Sequence, residues 1–320
     1  MTAALFTEST LDDLMRAVFE EILNNGEEIR PTKGAAREIN GVLLELTNPR
    51  ARLSRTETRG KPYSCLGELC WYLAKTNDLG FISYYIPAYR QYADGEEIFG
   101  GYGPRLFNWD GLDQIGKVIA LLRERPFSRQ AVIQLFDADD IAEEHKDIPC
   151  TCTLQFMIRH DHLLMFVNMR SNDAYWGLPH DIFCFTMLQE IMARTLNVEM
   201  GPYKHGVGSL HLYEPSFPTA KQFIEEGWQS TETLMPTMPL GDPWSSIHGL
   251  LQAESDIRLS GRCDPHTLAK MNPYWADFAR LLQVYRAKID KDLDTIRSVR
   301  GNMSSGVYLP FIDKVLNKFS

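Results

Sequence analysis

Cys150 stands in the segment IPCTCTLQF, directly ahead of a run whose residues predict a strand. Most unpaired cysteines behave as small hydrophobes, and a thiol becomes a nucleophile only where neighbouring cations favour the thiolate. Arg170 and other arginines along the chain, Arg50 and Arg129 among them, are suited to supply that field. Their planar guanidiniums also match phosphate oxygens two at a time. The competing chemistry is a metal or redox centre on Cys150, Thr151 and Cys152 with His145. Two cysteines one residue apart on a strand point to opposite faces, and no second pair follows to complete a tetrahedral set.

The elements that must hold these groups follow from periodicity. Leu11, Leu14, Val18, Ile22 and Leu23 space residues 11–24 as an amphipathic helix, and the polar stretch 24–40 reads as a connection. The basic segment from Asn48 to Gly60, taken alone, reads as a solvated loop. An apolar helix carrying Glu68 is expected over 67–75, a loop around Gly100-Gly101 over 97–109, and a helix over 112–125 that stops before Pro126. Strands are predicted at 131–136, 153–158 and 163–168, and a helix at 181–197 with Pro179 at its start. A short strand in SLHLYE, a proline-rich connection over 215–243 and a helical pattern over 275–298 complete the chain.

With 320 residues, 44% of them hydrophobic, the chain can bury a substantial core, and one domain over 1–320 is the simplest organisation. A net charge of −9 argues against a protein that coats nucleic acid, yet a local arginine cluster can still bind a small anion. Cysteines at 65, 70, 150, 152, 184 and 263 match neither a disulfide scaffold nor a zinc ribbon. Met1 to Glu20 shows no signal-peptide pattern and no window reaches the roughly 18 apolar residues of a membrane span. A cytoplasmic protein with reduced thiols, no membrane and no metal is the expectation.

Pro149-Cys150 with Gln155-Phe156, then Arg170-Ser171, Gly177-Leu178-Pro179 and His211-Leu212-Tyr213, in that order, resemble the signature of the thymidylate synthases. The likeness is strongest over 41–214, and 215–320 diverges. Asn48-Pro49-Arg50 resembles the loop whose arginine clamps the nucleotide phosphate, and Gly67-Glu68-Leu69 with Trp71 looks like the helix bearing the family's glutamate. Gly101-Tyr102-Gly103 is similar to the loop with a tyrosine near the base. Ser128-Arg129-Gln130 resembles a segment where the family shows two arginines reaching across a dimer; here Gln130 replaces one of them. The resemblance adds Arg170, Ser171, Asn172, Asp173, Gln155, His211 and Tyr213 to the implied nucleotide site. Trp71, Tyr89, Tyr92, Asp173 and Gly177 are implied to face the folate. Glu68 and His211 each have a bland alternative, a carboxylate turned to solvent and a satisfied strand histidine.

The chemistry so implied begins with a thiolate of Cys150 adding at C6 of a pyrimidine, which makes C5 nucleophilic. C5 takes up the one-carbon unit of 5,10-methylenetetrahydrofolate, and Tyr102 through water, with Glu68 organising water, serves removal of the C5 proton. Asp181 sits where dUMP-using members carry asparagine. An acceptor-only carboxylate complements the N4 amino group of cytosine and faces O4 of uracil unpaired unless it is protonated. Helix-start preference explains an aspartate there as well. The pattern resembles the deoxycytidylate hydroxymethylase branch, with Ser171 and Arg129 leaning to dCMP over CMP. Tyr89 and Tyr92 stand where the family has paired tryptophans, and the C-terminal tail is not recognisable; a wetter site favours addition of water over hydride. Thymidylate synthesis on dUMP and a nucleotide-binding homologue without catalysis are the alternatives. The family implies an α+β fold, helices on a twisted mixed sheet, and a homodimer formed through a sheet face.

Overall fold

A computed structural model describes residues 4–319; Met1 to Ala3, part of the stretch read above for a signal peptide, and Ser320 lie outside it. Among the described residues seven strands, β1 (Leu5–Glu8), β2 (Glu27–Ile29), β3 (Ala36–Leu46), β4 (Val132–Gln134), β5 (Thr151–Arg159), β6 (His162–Asp173) and β7 (Glu199–Tyr213), form one sheet. Its order is β1-β3-β7-β6-β5-β4, with β2 on β3. β1 with β3 and β6 with β7 are parallel pairs and the others antiparallel, so the sheet is mixed and the fold α+β. The helices are α1 (Leu11–Asn25), α2 (Pro62–Leu73), α3 (Leu79–Tyr85), α4 (Tyr102–Phe107), α5 (Gln114–Glu124), α6 (Leu178–Leu196), α7 (Phe217–Glu225), α8 (Trp244–Ser260), α9 (Pro265–Lys270), α10 (Pro273–Asp290), α11 (Leu293–Gly301) and α12 (Leu309–Asn317).

α6 is the crossover between the parallel strands β6 and β7, and it is buried on nearly every side. Pro179 lies in its first turn, where a missing N–H costs nothing, and Asn197 ends it in the left-handed region. Register then sets the site. Asp173 at the end of β6 faces His211 on β7, and Ser171 faces Ser209.

Several sequence expectations are corrected. The stretch 24–40 contains β2 and the first half of β3, because only Val42, Leu44 and Leu46 alternate cleanly as buried residues and the polar half hides the strand. α4 lies inside the expected loop at 97–109; six residues are too few to show a period. β7 is far longer than SLHLYE. Its glycines lower strand propensity, yet a Cβ at Gly208 would stand 2.8 Å from the Arg170 carbonyl oxygen, so packing against β6 requires glycine there. α7 lies in the proline-rich connection and α8 was not anticipated, and the pattern over 275–298 divides into α10 and α11 at Lys291, which has φ 57°. Among the described residues no helix is long and apolar enough to cross a membrane.

Candidate active site

Cys150 is partly exposed at the entry to β5, where the register with β6 shifts between Thr151 and Thr153. The backbone N–H of Arg170 donates to the Cys150 carbonyl at 2.9 Å. The Arg170 side chain donates to the carbonyls of Pro149 and Ile148, each at 2.9 Å, which straps the guanidinium to the segment bearing the thiol. Tyr102 Oη accepts from Thr151 N–H at 3.1 Å and lies 2.9 Å from Thr151 Oγ1. Burial pushes the Cys150 thiol up to about 11; Arg170 and Lys33 oppose this, while Asp147 and Asp181 add to it. The expected lowering by an arginine field is therefore outweighed in the free protein.

Lys33 and Asp147 were missed from sequence. Lys33 lies in the stretch read as a connection, its Nζ 4.0 Å from the Tyr92 ring centre. Burial pushes Asp147 up to about 6 against the pull of Lys33 and Arg170. The signal available was Asp147's place three residues before Cys150, and a lysine among polar residues gave none.

Glu68 is buried in α2, which excludes the solvent-facing alternative. Its carboxylate accepts from Tyr89 Oη at 2.7 Å, from Tyr72 Oη at 3.2 Å and from His180 Nδ1 at 2.7 Å. Burial raises its pKa, but the bond and charge of His180 and the two phenols outweigh it and hold the carboxyl below the usual range. His180 Nε2 lies 3.2 Å from Ser64 Oγ. Asp181, next on α6, is pushed well above the usual carboxylate range by burial and by the charge of Glu68; His180 and a hydrogen bond from Asn172 pull the other way.

Asn172 is buried, its Nδ2 3.0 Å from His205 Nε2 and 3.0 Å from Met169 Sδ. A side chain at Gly177 would meet the Asn172 amide oxygen at 2.7 Å, so the close approach demands glycine. Asp173 Oδ1 accepts from the backbone N–H groups of Tyr175 and Trp176 at 2.8 and 2.9 Å, forming the turn into α6. Ser171 Oγ lies 3.4 Å from His211 Nδ1, and the His211 ring meets Tyr213 edge-on at 4.9 Å.

Four expected residues have their contacts in other parts of the chain. Arg50 Nε donates to Glu190 at 2.8 Å and, with Arg52, neutralises that fully buried carboxylate. The Arg50 Nε is thereby committed to Glu190, while its Nη2 has no partner among the described residues. Trp71 is 1% exposed beneath Tyr89 and has no surface to offer a folate; Trp176, 58% exposed beside Arg59, does. Gln155 Nε2 donates to the Arg129 carbonyl at 3.1 Å, and Arg129 itself is exposed in the loop after α5. Among the described residues no group of three or more His, Cys, Asp or Glu is arranged to hold a metal.

Comparison with known proteins agrees with this frame. A deoxyuridylate hydroxymethyltransferase of Bacillus phage SP01 is 31% identical over 223 residues, 65% of this chain and 58% of that protein. One of Pseudomonas phage M6 is 35% identical over 162 residues, 49% of this chain and 46% of that protein. A thymidylate synthase of Mycoplasma pneumoniae is 29% identical over 134 residues, 41% of this chain and 46% of that protein. The chain thus spans about half the length of the curated relatives it matches. The sequence model of thymidylate synthase matches residues 14–261, wider than the motif-bearing stretch on both sides. With a matched region that takes in β3, β5, β6, α6 and β7, which bear the thiol and the groups around it, the chain belongs to the thymidylate synthase family.

Proposed function

We propose that this protein hydroxymethylates C5 of a pyrimidine deoxynucleotide, dCMP in preference to dUMP or CMP, through a covalent adduct of Cys150 at C6. The observation that carries the reading is that the Arg170 guanidinium is bonded to the segment ahead of Cys150 while Tyr102 Oη bonds to Thr151 directly after it, with Asp181 close enough for its charge to act on the thiol. The Cys150 thiol gives up its proton to N3 as the sulfur bonds to C6, which turns the ring into an enamine with C5 nucleophilic. After C5 has taken the one-carbon unit and lost its proton, breaking of the C6–S bond restores the ring and the thiol. Asp181 faces N3 and the N4 amino group as acceptor. Tyr102, through water, receives the C5 proton, and Glu68 orients the water that ends on the one-carbon unit. Arg170 and Lys33 hold the phosphate, with Ser171, His211 and Tyr213 on the sugar side.

The co-substrate of this reading is 5,10-methylenetetrahydrofolate, which supplies a one-carbon unit at the oxidation level of formaldehyde. The residues present fit a flat, partly anionic molecule: Trp176 offers an exposed ring, and Arg59 beneath it has a buried Nε without a protein partner. Tyr89 closes the Glu68 side, and Tyr92 lies beside it. The reading takes 1–320 as one catalytic domain and a homodimer in which the exposed Arg129 serves the partner's phosphate; a sedimentation mass of one chain overturns the dimer.

A second reading, action on dUMP, is favoured by the upward push on Asp181, since a protonated acid can donate to O4 of uracil. The names of the two phage relatives point the same way. Release of tritium from 5-labelled dCMP and dUMP, with and without the folate, tests both. The expected result is folate-dependent release from dCMP that is lost in Cys150→Ala while nucleotide binding remains. Release from neither nucleotide overturns the activity, and release from dUMP that falls as Asp181 ionises with rising pH selects the second reading.

A further inference from the structure

We propose that Glu38, held by the Ser209 hydroxyl, accepts the free 3′-hydroxyl of the nucleotide and excludes nucleotides that carry a phosphate there. The inference rests on the reading above, which sets His211 and Tyr213 on the sugar side. It adds a residue from the stretch that the sequence presents as a connection.

Strand register brings Glu38 to the site. Glu38 on β3 stands directly opposite His211 on β7, and Asp173 on β6 stands opposite His211 from the other side. Directly paired residues of antiparallel strands hold their Cβ atoms roughly 5 Å apart on one face of the sheet, so Glu38 and His211 are side by side. The face is the inward one. Alternation along each strand sets Glu38 with the buried Val42, Leu44 and Leu46, and His211 with the buried Tyr203, His205 and Val207.

Ser209 Oγ donates to Glu38 Oε2, and among the described residues this hydroxyl is the only hydrogen-bond or ion-pair partner of that carboxylate. A charge on the core-facing side of a strand is costly unless donors reach it. Packing alone therefore gives no reason for a glutamate here. Glu38 is half-buried, and its Oε1 is left to accept a hydrogen bond from outside the chain. Asp173 has less to offer, because its Oδ1 already accepts from the N–H groups of Tyr175 and Trp176.

A 2′-deoxynucleotide 5′-phosphate has one hydroxyl on its sugar, at C3′. With the phosphate on Arg170 and Lys33 and the sugar against His211, a carboxylate beside His211 meets that hydroxyl as a donor. A hydrogen bond to a charged acceptor is among the stronger kinds. A phosphate at C3′ presents negative oxygens instead, and like charges brought together in a partly buried contact oppose binding. Asp173 on the other flank of His211 adds charge of the same sign. A pyrimidine within a polynucleotide has such a phosphate, so the arrangement takes free mononucleotides and refuses a chain.

Equilibrium binding of dCMP and dUMP, each with and without a 3′-phosphate and at fixed ionic strength, tests this on wild type, Glu38→Gln and Ser209→Ala. The wild type is expected to bind the 3′-phosphorylated forms about a hundredfold more weakly than the bare nucleotides, and Glu38→Gln to narrow that gap about tenfold. Glutamine keeps the shape of the side chain and can still accept from Ser209, so this variant reads the charge. Ser209→Ala keeps the charge and is expected to keep the gap while binding the bare nucleotides more weakly. An equal gap in wild type and Glu38→Gln, or a wild type that binds both forms alike, overturns the role of Glu38 and leaves the functional reading standing. A wild type that binds no pyrimidine mononucleotide overturns that reading and this inference with it.

Discussion

His180 Nδ1 donates to Glu68 Oε2 at 2.7 Å, joining the first turn of α6 to the middle of α2. Burial disfavours charge on both, yet each outcome is the charged one. His180 is pushed up to about 10, burial being outweighed by Cys65 and Glu68, while Glu68 is held low by three donors. The site wall thus carries a fixed carboxylate beside Asp181, whose own carboxyl is driven up by it.

Replacing His180 by Gln removes that cation. Glu68 then rises toward its buried value, so the acid limb of the pH profile of tritium release moves to higher pH; Asp181 loses the same cation, so dCMP binding weakens with it. Stability reads the same bond. A histidine whose folded pKa exceeds its unfolded one contributes fully below about 6.5 and loses the contribution as pH rises toward its folded value. Calorimetric Tm of the wild type should therefore fall between pH 7 and about 10 more steeply than that of His180→Gln. Parallel curves would remove the ion pair.

Arg50 and Lys33 should separate stability from binding. Glu190 is fully buried between Arg50 and Arg52, and Glu190→Gln leaves two guanidiniums without a counter-charge, a loss of roughly 3–5 kcal/mol by denaturant melting. Arg50→Met should cost stability with KM for the nucleotide unchanged. Lys33→Ala should do the reverse, raising KM about tenfold with little change in melting. A raised KM in Arg50→Met would restore that residue to the phosphate.

The contrast shows which signals a sequence carries. Cys150, Tyr102, Glu68 and Asp181 stand out as candidates because short motifs surround them, and α1, α5 and α6 were legible because their apolar spacing is helical over three turns or more. The pairing of Arg50 with Glu190 was not foreseen because a guanidinium that binds phosphate and one that neutralises a buried carboxylate look alike until the partner, far along the chain, is in place. Lys33 and Glu38 were invisible for the same reason. Lys33 gains meaning only when the strand ends bring it to Tyr92, and Glu38 only when register sets it beside His211.

The thiol itself supplies the last test. Burial pushes Cys150 up to about 11, so at pH 8 about one molecule in a thousand holds the thiolate, and alkylation by iodoacetamide should be slow and climb with pH beyond 9. Asp147 contributes a negative charge to that shift, and it ionises near pH 6. Asp147→Asn should therefore lower the thiol pKa and speed alkylation at pH 8, while Arg170→Met, removing the cation strapped to the segment before the thiol, should slow it. Because Cys152 is also partly exposed, the labelled residue must be assigned by peptide mass. Rates that move together in both variants would mean access, not charge, governs the thiol. Opposite shifts would mean that a bound nucleotide need only rebalance Asp147 against Arg170 to release the sulfur's proton, since those two charges already pull on it from opposite sides.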